Sequence, residues 1–233
     1  MKLILTRPEE DSAVLAAKLI ELGHEVVSSP LLEIVQNVSI TIPNRPWAAL
    51  LVTSANGVRN LPGGSVSREV RVIAVGMQSA QAARECGFRQ VESHGGDVMR
   101  LTAWIATHLV PASGPLLYVT GKEISGDLEG ALREKDFDVH RVETYQARPR
   151  PLAMSKQEFS TCDGVLLYSP RTAKLWMNEI ASRHFESEAM HLRYYCLSQA
   201  VADQLPQSWL KLVASEPTES ALLQRLEPAA KGE

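Results

Sequence analysis

Leu3-Ile4-Leu5-Thr6-Arg7-Pro8 is a short apolar run that breaks into a polar corner. Behind it, Val14, Leu15, Lys18, Leu19 and Leu22 recur at helical spacing, with Asp11 or Ser12 as expected cap and Gly23 as the stop. Glu25–Ser29 then reads as a second strand. Strand, helix and strand in that order form the building block of parallel sheets. The alternation continues along the chain. Strands are expected at Ala48–Thr53, Val70–Val75, Leu116–Thr120, Val139–Glu143, Gly164–Tyr168, Arg193–Leu197 and Leu212–Ala214. Helices fit at Ala55–Asn60, Ser79–Cys86, Val98–Thr107, Asp127–Lys135, Thr172–Ile180, Gln199–Leu205 and Ser220–Leu226. Several strands are continuous apolar runs, as expected when helices cover both faces of a sheet. The class is α/β.

The opening unit has a counterpart. Leu3-Ile4-Leu5-Thr6 matches Leu117-Tyr118-Val119-Thr120, and Gly23–Val26 matches Asp136–Val139. Leu51-Val52-Thr53-Ser54 matches Leu166-Leu167-Tyr168-Ser169 at nearly the same offset. Weaker matches pair Val75–Ala80 with Leu197–Ala202, and Asp97–Leu101 with Thr218–Leu222. Two copies fit two similar domains of about 110 residues each. Each polar corner follows a strand and precedes a helix, which places it at the carboxyl edge of a sheet, where open α/β folds bind ligands. Facing corners from two domains predict an interdomain cleft.

Composition narrows the function. The 233 residues are 45% hydrophobic and 22% charged, with a net charge of −3, so a globular chain without a general basic field is expected, and nucleic acid is not an expected partner. The apolar stretch Trp47–Val52 is far too short to span a membrane. The N-terminal residues read as a first buried strand of a mature cytoplasmic protein. Cys86, Cys162 and Cys196 are odd in number and widely spaced, so they read as core residues rather than disulfides or metal ligands. His184 and His191 lack an evident third ligand, and no metal is expected. There is no phosphate-binding Gly-Lys loop, no dinucleotide fingerprint and no nucleophile elbow, so no cofactor is demanded.

Four constellations carry candidate chemistry. Thr53, Ser54 and Asn56 bring hydroxyls and an amide to a helix start, and Ser169 with Arg171 repeats the device; carboxylates suit such places, although capping alone also explains them. Arg7 and Lys122 set a cation at each basic corner, where a solvated charge is also ordinary. Thr218 starts the last helix. Tyr145, after the second strand of the second copy, is either a packing residue or a proton donor, since a phenol with an ordinary pKa of about 10 is protonated at pH 7.

In their order, Thr6-Arg7-Pro8, Thr53-Ser54-Ala55-Asn56, Gly76 with Ser79-Ala80, Gly95-Gly96-Asp97-Val98, Thr120-Gly121-Lys122, Tyr145, Ser169-Pro170-Arg171 and Pro217-Thr218-Glu219 resemble the uroporphyrinogen-III synthase family. The resemblance implies two similar parallel-sheet, flavodoxin-like domains facing across a cleft and joined by a two-stranded connector. Residues 1–34 with 147–233 would form one domain and residues 35–146 the other. It implies conversion of hydroxymethylbilane, a linear tetrapyrrole with eight carboxylates, to uroporphyrinogen III. Water is lost, the ring closes, and the last pyrrole inverts through a spiro intermediate, without cofactor or metal. Tyr145 would assist departure of the hydroxyl. Arg7, Thr53, Ser54, Asn56, Ser79, Lys122, Ser169, Arg171 and Thr218 would hold substrate. Two places depart from the family. Ser198-Gln199-Ala200-Val201 stands where a Gly and two Thr are usual, and Gly121-Lys122 replaces an Arg-Gly order. A monomer is expected. The competing readings are a two-lobed anion-binding protein without chemistry and a transferase with a nucleotide-linked donor.

Overall fold

The computed structural model describes residues 1–94 and 96–226. Among the described residues, eleven strands build two sheets. The chain divides into two compact units, Met1–Glu33 with the chain from Arg148 onward, and Ile34–Ala147. The first unit holds β1 (Lys2–Leu5), β2 (Glu25–Ser28), β9 (Gly164–Leu167), β10 (Arg193–Cys196) and β11 (Lys211–Val213). The second holds β4 (Ala49–Val52), β5 (Arg71–Ala74), β6 (Gln90–Ser93) and β7 (Leu116–Gly121). The boundary between units falls inside β3 (Leu32–Gln36) and β8 (Val139–Pro149), which are neighbours at the edge of the second sheet.

The sheet orders are β11-β10-β9-β1-β2 and β3-β8-β7-β4-β5-β6. All pairings of β1 with β2 and β9, of β10 with β9 and β11, and along β8-β7-β4-β5-β6 are parallel. The sequence repeat explains the two orders. With β7 counted as first, then β8, β4, β5 and β6, the second sheet has the same 2-1-3-4-5 order as the first, the flavodoxin-like arrangement. Connections run outward in opposite directions from β1/β9 and from β7/β4, so each unit has its topological switch point there.

Burial follows from the two-sided sheets. In β4, Leu50 and Val52 enter one core cluster while Ala49 and Leu51 enter the cluster on the opposite face. In β1, Ile4 packs with Trp176, Phe159 and Tyr194, whereas Leu3 and Leu5 pack with Leu15, Leu19 and Tyr195. A residue alternation of two puts successive side chains on opposite faces, and both faces are covered here.

Several boundaries differ from the sequence expectation. The first helix spans Glu9–Glu21 with Pro8 at its cap, so Asp11 and Ser12 lie inside its first turn instead of capping it. Proline needs no N–H partner at that place, and Glu9, Glu10 and Asp11 meet the positive helix end. The helix after β9 runs Pro170–Arg183, longer than expected, capped by Ser169. The helices Leu128–Arg133, Gln199–Ala202 and Glu219–Leu223 are shorter than expected. β8 continues six residues past the expected Glu143 end, to Pro149. β3 and β6, and the short helices Lys156–Phe159 and Glu186–Ala189, are additional to the expected elements.

Candidate functional site

In the second unit, the switch point gathers the hydroxyl corner after β4 and the basic corner after β7. Ser54 caps the helix Ala55–Arg59, and the Asn56 N–H donates to its Oγ at 3.3 Å. The Tyr145 hydroxyl donates to the same Oγ at 3.0 Å. A β-bulge produces this approach. Thr120 pairs with Glu143, but Gly121 pairs with Tyr145, so Thr144 is squeezed out of the ladder. Thr144 is fully buried, and its hydroxyl donates to the Gly57 carbonyl at 2.8 Å. The bulge sets Tyr145 on Gly121, where a Cβ would stand 2.7 Å from Tyr145 Cζ. Gly57 plays a similar part, since its Cβ would meet the Val119 carbonyl oxygen at 2.9 Å. Two glycines thus let the helix start and the phenol converge on the end of β7.

Thr53 Oγ1 and Tyr118 Oη are hydrogen-bonded at 3.1 Å. Asn56 is only 7% exposed, and its Oδ1 has no hydrogen-bond partner among the described residues. A buried carbonyl oxygen of this kind is a standing demand for a donor. Lys122 is exposed and held by its backbone, its N–H donating to the Tyr145 carbonyl at 2.9 Å. Ser79 is buried within the helix Met77–Glu85, which packs on the helix Ala55–Arg59. A cavity of about 1010 Å³ opens beside Thr53 and continues between the helices Val98–His108 and Leu128–Arg133, past Thr102 and Gly126 to Lys135.

In the first unit, the equivalent edge gathers Arg7, Tyr168, Ser169 and the start of the helix Glu219–Leu223. The Arg7 guanidinium lies 4.6 Å from the centroid of the Tyr168 ring. It pairs with Asp11 at 3.3 Å and Glu219 at 3.4 Å, while Glu219 also accepts from Lys18 at 2.7 Å. Burial pushes the Tyr168 phenol well above its ordinary pKa; the Glu219 carboxylate adds to the push, and Arg7 opposes it. Ser169 Oγ accepts from the Thr172 N–H at 3.1 Å and is hydrogen-bonded to Thr172 Oγ1 at 2.9 Å. Arg171 lies in the first turn of the same helix. Thr218, exposed, accepts from the Ala221 N–H at 3.2 Å.

Sequence reasoning does not single out Tyr168, Glu219, Thr144 or Gly121 as participants. The repeat carries a signal for one of them, because it aligns Tyr168 with Thr53 and so sets a hydroxyl at both positions. Among the described residues no group of three or more His, Cys, Asp or Glu side chains is arranged to hold a metal ion. His184 is the left-handed cap of its helix and His191 follows another one, so they share no helix face. No described helix is long and apolar enough to cross a membrane.

Fold and edges together define a class: paired α/β units of 2-1-3-4-5 order, each presenting hydroxyls and a cation at its switch point. The family described as uroporphyrinogen-III synthase HemD matches residues 13–224, and the chain belongs to that family. A porphyrin biosynthesis protein HemD from Ruminiclostridium josui is 26% identical over 230 residues; the match covers 92% of this chain but 45% of that protein. The chain therefore spans about half the length of this curated relative. The fold is shared with uroporphyrinogen-III synthetase from Helicobacter pylori, at 16% identity, a TM-score of 0.64 and 96% coverage of both chains. A mutant uroporphyrinogen III synthase from Thermus thermophilus gives 15% identity, a TM-score of 0.53 and the same coverage.

Proposed function

We propose that the chain is a uroporphyrinogen-III synthase, a cyclising lyase that converts hydroxymethylbilane to uroporphyrinogen III. Membership of the family over residues 13–224 carries this reading. The substrate bears eight carboxylates, and the hydroxyls, helix N–H groups and cations at the two switch points suit it. Thr53, Ser54, Asn56, Ser79 and Lys122 of the second unit, with Arg7, Ser169, Arg171 and Thr218 of the first, are assigned to substrate.

The chemistry begins with rupture of the bond from the terminal carbon to its hydroxyl. Tyr145 gives its proton to the departing oxygen, which leaves as water, and the phenolate is reprotonated by the proton released when the ring closes. Ser54 accepts the Tyr145 hydrogen bond at 3.0 Å and so aims the phenol until substrate takes its place. The remaining task is geometric. The substrate must be folded so that the substituted carbon of the last ring attacks, a matter of orientation more than of added chemical groups. The same reading takes the protein as a cytoplasmic monomer that needs no cofactor, nucleic acid or membrane; size-exclusion chromatography and activity in the presence of a chelator test those parts. The activity itself is tested by supplying hydroxymethylbilane made in situ. Faster consumption than in the protein-free control is expected, and an unchanged rate contradicts the proposal.

A further inference from the structure

The Tyr168 hydroxyl is sealed from solvent, and its O–H finds no acceptor among the described residues. An orphaned buried hydroxyl is costly, and a native protein rarely keeps one without a use for it. The Arg7 guanidinium lies over the same ring, 4.6 Å from its centroid. Both ionic contacts of Arg7, at 3.3 and 3.4 Å, are long for charge-assisted bonds, which usually fall at about 2.7–2.9 Å. Glu219 has a better partner in Lys18 at 2.7 Å. Arg7 is thus loosely held over an unused donor, and the carboxylate of Glu219 occupies the place an incoming carboxylate would take.

We propose that Arg7 and Tyr168 form a two-donor subsite for one substrate carboxylate, and that Glu219 is the internal carboxylate which the ligand displaces. On binding, Arg7 turns from Glu219 to the ligand, Glu219 stays with Lys18, and the Tyr168 O–H donates to the second ligand oxygen. The raised pKa of the phenol keeps that proton in place throughout the working pH range. The reactive step needs no change, since Tyr168 binds and performs no proton transfer. This inference rests on the reading of the substrate as a polycarboxylate.

The test uses the full chain and the variants Tyr168→Phe and Glu219→Gln. Tyr168→Phe removes one oxygen. The subsite predicts a KM for hydroxymethylbilane about tenfold higher. Because the orphan hydroxyl is gone, the ligand-free Tm should rise by about 2–4 °C. Glu219→Gln weakens the internal competitor and lowers KM about threefold. A merely structural Tyr168 leaves KM within twofold of wild type, and that result overturns the subsite whatever happens to Tm. If the wild-type protein does not turn over hydroxymethylbilane, the functional reading fails separately. The subsite is then judged by calorimetric titration with mellitate, a benzene hexacarboxylate. Binding at least fivefold weaker in Tyr168→Phe supports it; equal binding, or none to the wild type, overturns it.

Discussion

Replacing Gly121 by alanine probes whether the position of the Tyr145 phenol matters. The new Cβ would stand 2.7 Å from Tyr145 Cζ and 3.0 Å from both Cε2 and Oη. Carbon atoms settle at about 3.5–4.0 Å, so the ring must retreat by about 0.8 Å or more. Its hydrogen bond to Ser54, now 3.0 Å, is lost or badly misdirected by such a shift. A misplacement of about 1 Å costs on the order of a hundredfold in rate where geometry is decisive. The variant should therefore turn over hydroxymethylbilane about a hundredfold more slowly, while overpacking lowers stability by about 1–3 kcal/mol. Tyr145→Phe removes the proton without moving the ring and should also slow turnover by about a hundredfold. The double variant decides between a shared and an independent cause. If Gly121→Ala acts only through the phenol, it adds little in the Tyr145→Phe background. The assay is single-turnover formation of cyclised product, alongside thermal denaturation. A folded Gly121→Ala protein with wild-type turnover refutes the reasoning, as does full additivity in the double variant.

Thr144→Val deletes the hydroxyl that satisfies the Gly57 carbonyl inside the bulge; a loss of about 2 kcal/mol, or about 4–8 °C in Tm, is expected in a thermal melt. The thiols should react slowly in the native state, because burial raises the pKa of Cys86 and Cys162 and pushes Cys196 up to about 12. Titration with a chromogenic disulfide at pH 8 should reveal all three rapidly only in denaturant, and rapid native reaction of Cys196 contradicts its placement. Glu92 loses some hydration by burial, but Arg71 and His94 outweigh this and hold its carboxyl below the usual range. A carboxylate with a depressed folded pKa stabilises the protein above the unfolded pKa of about 4.3, and that stability disappears as pH falls through the folded value. Glu92→Gln should accordingly flatten the stability profile below about pH 4.5, measured by denaturant midpoints across pH, and an unchanged profile there contradicts the pairing with Arg71 and His94.

The strands that are legible in the sequence are those buried on both faces. Ala49–Val52 and Gly164–Leu167 are unbroken apolar or small-residue runs with turn residues behind them. β3 (Leu-Glu-Ile-Val-Gln) and β6 (Gln-Val-Glu-Ser) lie at sheet edges, where half-exposure lets polar residues in and erases the pattern. The repeat discloses which strands correspond, and the sheet orders bear out that correspondence. It cannot disclose sheet order itself, which depends on tertiary pairing. Tyr145 can be chosen from its place in the chain. The bulge that aims it cannot, because a register shift at Thr120/Gly121 has no signature in Thr144-Tyr145. Tyr168 is hidden for another reason. Its interest lies in what it lacks, and a missing hydrogen bond is visible only once its neighbours are in place.

Ring inversion is the step that sets the proposed activity apart from unaided closure of the linear tetrapyrrole. Hydroxymethylbilane should be generated in situ in the presence of the protein, the products oxidised, and uroporphyrins I and III separated chromatographically. Isomer III should dominate, and its share should rise with protein concentration. An isomer I product indistinguishable from the protein-free control contradicts the proposed activity.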